Sequence, residues 1–343
     1  MNRKDEHINL ALSQEVIAND FDRIRFVHNG LSDVDFTKIS LQTDFLGHVI
    51  ELPFYINAMT GGTQKAFEIN SKLSKIASYY NIPIATGSLS PILKDKNALN
   101  SFKIIRDNNP NGLVIANIGA DKTVEDVKKV LGMFKADALQ IHINQVQEIV
   151  MPEGERDFSL WQNNIKEITN SIDIPVIVKE VGFGMSHKTL ETLKSLNIKN
   201  VDISGRGGTN FALIENSRRN NKFYSFNTWG LSTVESLLES SKVNEINILA
   251  SGGIRCALDI VKSLSLGANA VGLSSYFLKL VNEYDIEEII FEIDNLILEI
   301  KSIMAILCAK EIKDLRKCEL IVDSELMNFI TQRNINKNIL ISR

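Results

Sequence analysis

Eight short runs of apolar and β-branched residues recur between Phe54 and Leu273. Each is followed by a turn bearing Gly, Ser or Asn and then by a helix-spaced pattern. The runs end near Met59, Thr86, Ile118, His142, Lys179, Ser204, Ser251 and Leu273. They are near-continuous rather than alternating, which is the pattern of parallel strands covered on both faces. Eight strand–helix units in series predict an α/β fold, a (β/α)8 TIM barrel over residues 54–283. Periodicity does not report closure, so an open doubly wound sheet stays as the alternative.

The intervening segments read as amphipathic helices. Ile69, Leu73, Ile76, Ala77 and Tyr80 share one stripe, as do Val124, Val127, Leu131 and Phe134, and Ala257, Leu258, Val261 and Leu264. Residues 284–343 are expected to add C-terminal helices packed on the barrel: a long one over Ile286–Leu307 and a shorter one near Leu315. Residues 1–53 form an N-terminal extension, with short strands or a lid at 34–52, and the whole is expected to be a single domain.

The chain has 343 residues, 44% hydrophobic and 23% charged, enough for a large core. Its formal net charge of −4 argues against a nucleic-acid footprint. Cys256, Cys308 and Cys318 show no paired spacing, so neither a disulfide scaffold nor a zinc site is expected. The first ten residues carry no apolar signal segment, and no run is long enough to span a membrane. A cytosolic enzyme is the expectation.

The densest polar stretch follows the fourth run. Ala138–Ile141 ends in His142, Asn144, Gln147 and Glu148, then a turn at Pro152, Glu153 and Gly154, with a helix expected near Ser159. An imidazole, two amides and a carboxylate within seven positions exceed what packing needs. Glu148 suits a hard cation such as Mg²⁺, although a lone Glu is weak evidence for a metal.

The other strand ends are similarly marked: Ala58-Met59-Thr60-Gly61-Gly62, Thr86-Gly87-Ser88, Asn117-Ile118-Gly119, Lys179-Glu180, Ser204 through Asn210, Ser251 through Arg255, and Ser274-Ser275. In a barrel all meet at one rim, where active sites lie. Gly252 and Gly253, with Arg255, Ser274 and Ser275, suit a phosphate grip after strands seven and eight. Lys179 at the end of an apolar strand reads either as an ion pair with Glu180 or Glu148, or as a charge set beside an electron-rich ring.

Taken together these motifs closely resemble the type 2 isopentenyl-diphosphate isomerases, FMN-dependent (β/α)8 enzymes, over almost the whole chain. The most specific are His142-x-Asn144-x-x-Gln147-Glu148 and Ser204-Gly205-Arg206-Gly207-Gly208-Thr209-Asn210. The resemblance implies interconversion of isopentenyl and dimethylallyl diphosphate, with reduced FMN as acid/base and NAD(P)H needed only to reduce it. It implies FMN contacts at Ala58, Met59, Thr60, Ser88, Asn117, Lys179, Ser204 and Thr209, with Gly252, Gly253, Arg255, Ser274 and Ser275 around the phosphate. It places Gln147 against the isoprenoid and Mg²⁺ on Glu148. Arg3, Lys4, His7 and Asn144 would bind the substrate, and Gln147, His142 and Lys179 would be the catalytic set. A homo-tetramer or homo-octamer is implied, with no nucleic-acid or membrane partner. Leu89-Ser90 departs from the Gln-Arg of many relatives, and Met151 from their Gln.

Two other FMN barrels are less well matched. A 2-hydroxy-acid oxidase needs a His base after strand six, and Ser204–Phe211 has none; His187 belongs to another loop or helix. A nucleotide dehydrogenase needs a Cys there, whereas Cys256 follows strand seven and is expected to pack as a small apolar residue.

Overall fold

The computed structural model describes residues 3–14 and 19–341, with only the backbone for Arg3. Its centre is a closed barrel of eight parallel strands. In chain order these are β1 (Phe54–Ile56), β2 (Ile84–Ser88), β3 (Val114–Gly119), β4 (Ala138–Ile143), β5 (Val176–Glu180), β6 (Asn200–Asp202), β7 (Asn247–Ser251) and β8 (Ala270–Leu273). Each pairs with the next, and Val271 of β8 registers with Phe54 of β1, which closes the ring. All eight expected strands are present, and the open-sheet alternative is excluded. Every residue of β3 and β5 is buried, the physical reason their sequences are not alternating.

The helices begin and end where their caps dictate. Thr63 caps Gln64–Tyr80 by accepting from the Ala66 N–H, and Asn81 ends that helix at φ +50°. Reciprocal capping boxes open Val124–Met133 and Ile286–Ile306. The expected helix near Leu315 is a 3-10 turn, Ile312–Lys317, and the regular helix comes later, at Ser324–Gln332. Between them Leu320–Val322 pairs antiparallel with Ile24–Phe26, tying the two ends of the chain together.

The N-terminal extension packs at both ends of the barrel. Its hairpin, Thr43–Phe45 with His48–Ile50, inserts Phe45, Leu46 and Ile50 among Tyr55, Ala85, Ile115, Ala138, Ile177, Leu249 and Ala270. Most of those barrel residues stand at the starts of their strands, so the hairpin plugs the mouth opposite the marked rim. Phe45 has no exposed surface, and burying such a ring stabilises the plug by roughly 2–3 kcal/mol. The marked rim is reached by the helix Arg3–Ser13, and by Gln14, Asn19 and Asp22, which bond Asn210, Gly253 and Arg255. There Asp5 accepts from Thr63 at 2.8 Å, Asn9 accepts from Lys65 at 2.7 Å, and Ile8 is buried.

Candidate active site

The rim is polar because inward-facing strand positions are polar at their C-terminal ends. Gly119, His142 and Lys179 register across β3, β4 and β5, and Lys179 registers with Asp202 of β6. Lys179 is buried, and its ammonium lies 3.9 Å from the fully buried Asp202 carboxylate. Neither Glu180 nor Glu148 is its ion-pair partner. It donates to the main-chain oxygen of Glu180, whose carboxylate instead turns back to accept from the N–H groups of Val181, Gly182 and Phe183. Burial pushes the Glu180 carboxyl up to about 7 despite those three donors and the charge of Lys179.

The Asp202 carboxylate accepts four hydrogen bonds. One oxygen accepts from Tyr55 and Asn57, the other from Ser251 and the Ser204 N–H. Burial and that carboxylate hold the Tyr55 phenol well above its ordinary range. The network continues through Gln140 and Asn117 to His142. Burial, aided by the charges of Lys4, Lys179 and Lys122 against that of Asp121, pulls the His142 imidazole down to about 4, so it is neutral at pH 7.

The polar stretch after β4 is not a loop but a short helix, Gln145–Val150. That puts Asn144, Gln147 and Glu148 on one turn. Asn144 donates to Glu148 at 2.8 Å and lies 3.4 Å from the Gln147 oxygen. The chain then folds back over this helix. Glu155 N–H donates to the Glu148 carboxylate at 2.7 Å, and Arg156 reaches the Glu148 main-chain oxygen. A Cβ on Gly154 would sit 2.1 Å from that oxygen, so only glycine fits.

Gln147 donates to Glu215 at 3.0 Å, and His7 lies 3.3 Å from the same carboxylate oxygen. Arg218 bonds the other oxygen at 2.5 Å and Glu153 at 2.6 Å, with Glu6 at 3.7 Å. One buried carboxylate thus joins the N-terminal helix to Gln147. The charge of Lys4 acts on His142, which puts it at the same mouth. The side chain of Arg3 lies outside the described residues.

The loops after β6 and β7 interlock backbone to backbone. A Cβ on Gly208 would meet Gly253 N at 2.6 Å, and one on Gly252 would meet Gly205 O at 2.1 Å. Among the described residues the N–H groups of Gly252 and Gly253 have no hydrogen-bond partner. They stand before the helix Ala257–Ser265, as an anion site requires. Ser274 and Ser275 open the next helix, Ser275–Glu283. Arg255 is held by Asp22 at 2.6 Å and by Asp259 at 2.9 Å. These bonds, the one to Asp22 first, raise its basicity further. Cys256 is exposed at the N-cap of Ala257–Ser265 rather than packed in the core.

After β1, the strand next to β8, Thr60 is buried with an unpartnered hydroxyl, Met59 and Ala58 are partly buried, and Gly87 lets β2 touch the Thr60 backbone. Ser88 pairs with Ser90 at 3.1 Å, so the departure at Ser90 fills its hydroxyl. Met151 is buried under Arg156, which bonds its main-chain oxygen. Ser204 is buried, and Thr209 is half-buried in the loop leading to Phe211–Ser217. His187 begins the helix His187–Ser195 after β5. Tyr55, Asn57, Gln140, Asp202, Glu215 and Arg218 belong to the site's framework and were not expected from sequence. Only Asp202, a charge inside an apolar run, left a visible signal.

A family model described as FMN-dependent dehydrogenase matches residues 112–322. A protein of Staphylococcus epidermidis named isopentenyl-diphosphate delta-isomerase is 43% identical over 339 residues, 98% of this chain and 97% of its own. One of the same name from Latilactobacillus sakei subsp. sakei is 44% identical, covering 97% of each. Among solved structures, a flavocytochrome b2 mutant with pyruvate bound aligns at a TM-score of 0.68 and 20% identity, over 94% of this chain and 87% of that one. A mandelate oxidase mutant with (S)-mandelic acid aligns at 0.65 and 14% identity, over 92% and 94%. At those identities the likeness is one of fold.

Proposed function

This chain belongs to the FMN-dependent, type 2 isopentenyl-diphosphate delta-isomerases, and from that premise we propose that it interconverts isopentenyl and dimethylallyl diphosphate by proton addition and removal, with Mg²⁺ on the diphosphate. The observation that carries the reading is the meeting of His142, Lys179, Gln147 and Glu148 at one mouth, with His7 brought to it through Glu215.

The residues fit FMN. The orphaned Thr60 hydroxyl after β1 and the free N–H groups of Gly252 and Gly253 after β7 offer donors two strands apart round the mouth, and Lys179 on β5 supplies a buried cation across the barrel from the Thr60 strand. When bound and reduced by NAD(P)H, FMN supplies the acid/base group of a redox-neutral reaction. Lys179, held in place by Asp202, favours the anionic form of a neighbouring ring. Met59, Ala58, Ser88, Asn117, Ser204 and Thr209 would line the ring, and Ser274 and Ser275 the phosphate.

Substrate binding falls to Lys4, His7, Asn144 and, by proposal, Arg3. Among the described residues no cluster of three metal-ligating side chains exists. Glu148 is therefore suited to a cation that keeps waters and takes its other oxygens from a diphosphate, which is how Mg²⁺ binds. Gln147 stands beside the prenyl tail with its carboxamide fixed by Glu215. Closing such a site excludes water and aligns a weakly basic alkene with its proton donor.

Phe291, Leu298 and Ile306 are exposed on one face of Ile286–Ile306, which supports assembly into a homo-oligomer. No helix among the described residues is long and apolar enough to cross a membrane. Three unpaired cysteines suit a reducing, cytosolic setting.

The test is anaerobic assay of the purified protein. Expected are a flavin spectrum with FMN released on denaturation, isomerisation after reduction, and no NAD(P)H consumed per turnover. A colourless protein that takes up no FMN, or NAD(P)H oxidation coupled one-to-one to product, would overturn the reading. Oxidation of 2-hydroxy acids would point instead to the chemistry named in the flavocytochrome b2 and mandelate oxidase likenesses.

A further inference from the structure

Four buried side chains and the half-buried His142 form a single hydrogen-bonded row across the barrel interior, and the direction of every bond in it is fixed. Asp202 as a carboxylate only accepts, so Asn57 must turn its Nδ2 toward it, at 2.7 Å. The Ala58 N–H only donates, and it meets Asn57 Oδ1 at 2.8 Å, which fixes the same amide independently. Gln140 therefore donates its Nε2 to Asn57 Oδ1 at 3.3 Å, and its Oε1 accepts from Asn117 Nδ2 at 2.7 Å. Asn117 is left with Oδ1 facing the ring of His142, 2.9 Å from Nδ1. Asn57, Gln140 and Asp202 have no exposed surface and Asn117 almost none, so water does not compete for these bonds. Gly272 of β8 makes room for the row: a Cβ there would lie 2.5 Å from Asn57 Nδ2 and 2.7 Å from the Tyr55 hydroxyl.

We propose that Gln140, anchored through Asn57 to Asp202, is the positioning residue that fixes His142 as the Nδ1–H tautomer, with unprotonated Nε2 presented to the mouth. An acceptor-only oxygen at Asn117 can be met only by an N–H, so the ring proton sits on Nδ1. The low basicity of the buried ring keeps the second nitrogen bare at neutral pH. His142 is thereby an acceptor. It meets an N–H or O–H of the bound cofactor or substrate, not an ionised phosphate oxygen, which falls to the Lys4 side. What Nε2 does in the isomerisation rests on the preceding reading; the tautomer does not.

The experiment is nitrogen-15 NMR of the flavin-loaded protein labelled at histidine, at neutral pH. The chain has five histidines, and the His142 signals are assigned by their loss in His142→Asn. The wild type is expected to show His142 in the Nδ1–H form alone. In Gln140→Leu the acceptor for Asn117 is gone, the Asn117 amide is free to turn over, and both tautomers should appear in comparable amounts. Gln140→Glu keeps an acceptor toward Asn117 and should retain the wild-type tautomer, so it separates loss of direction from general disturbance. An Nε2–H tautomer or an imidazolium in the wild type overturns the proposal even if neither variant folds. An unchanged tautomer in a folded Gln140→Leu overturns it as well. The expected tautomer in a protein that does not isomerise would leave this inference standing and remove the proposed function.

Discussion

The side-chain amide of Gln147 donates to Glu215 across 3.0 Å, and the same carboxylate oxygen lies 3.3 Å from Nε2 of His7. A residue after β4 and a residue of the N-terminal helix are thus held by one buried charge on the helix after β6. Glu215→Ala removes that tie and leaves Arg218, among the described residues, with the carboxylates of Glu153 and Glu6. The expected cost is about 3 kcal/mol of stability, since a buried carboxylate is taken from a charged partner. Isomerase activity should fall further than FMN content. Urea unfolding, flavin absorbance and steady-state kinetics on one preparation check this; wild-type kinetics would detach Glu215 from the site.

Glu148 and Gln147 are neighbours on one helical turn with separate proposed tasks. Glu148→Gln keeps size and the Asn144 contact but loses the charge, so the Mg²⁺ needed for half-maximal rate should rise and substrate binding weaken. Gln147→Ala should leave the metal response intact while the rate falls. Each loss is expected at about 2–4 kcal/mol of transition-state stabilisation, typical of one placed polar group in a closed site. A Mg²⁺ titration of both variants, with FMN content measured first, decides the assignment. Near-wild-type rates and metal response in both would mean the segment after β4 is not the active site.

The strands were legible because burial on both faces writes itself into the sequence as unbroken apolar runs. The partners of Asp202 were not, because Asn57 is 145 residues away and Tyr55 is 147. Only barrel closure brings them together. The pairing of Arg255 with Asp22 is hidden for the same reason, since Asp22 lies 233 residues earlier. The helix carrying Gln147 and Glu148 spans six residues, too few for a helical period to show. Glu215 sits among ordinary helix formers in Phe211–Ser217, where a carboxylate reads as a solvated one. The polar side chains that converge at the rim are therefore more legible in the sequence than the framework that orients them.

Gly253 lies at φ +71°, and a Cβ there would stand 2.6 Å from the Gly207 carbonyl carbon. Gly253→Ala should therefore push the two phosphate-side loops apart, costing about 2–4 kcal/mol from the left-handed backbone and overpacking together. FMN should be lost on gel filtration. Gly267→Ala is the control: its φ is +115° but a Cβ meets nothing within 4 Å. It should show backbone strain alone and keep its flavin. Equal flavin retention in the two variants would count against a phosphate site between these loops.

Burial pushes the Glu180 carboxyl from 4.5 up to about 7, against three backbone donors. Below 4.5 the group is protonated in both folded and unfolded chains and contributes no pH dependence. Between 4.5 and about 7 the folded protein holds a proton that the unfolded chain releases. The folded state then binds more protons, so stability falls as pH rises through that window and levels off above it. Two and a half pH units correspond to an upper limit of about 3 kcal/mol. Glu180→Gln keeps an oxygen for Val181, Gly182 and Phe183 but removes the titration. Its stability should stay flat, apart from the trends of other groups, where the wild type declines. Urea midpoints of both proteins at half-unit steps from pH 5 to pH 8 give the comparison. Parallel curves would show that Glu180 is ionised throughout, with its three donors outweighing its burial.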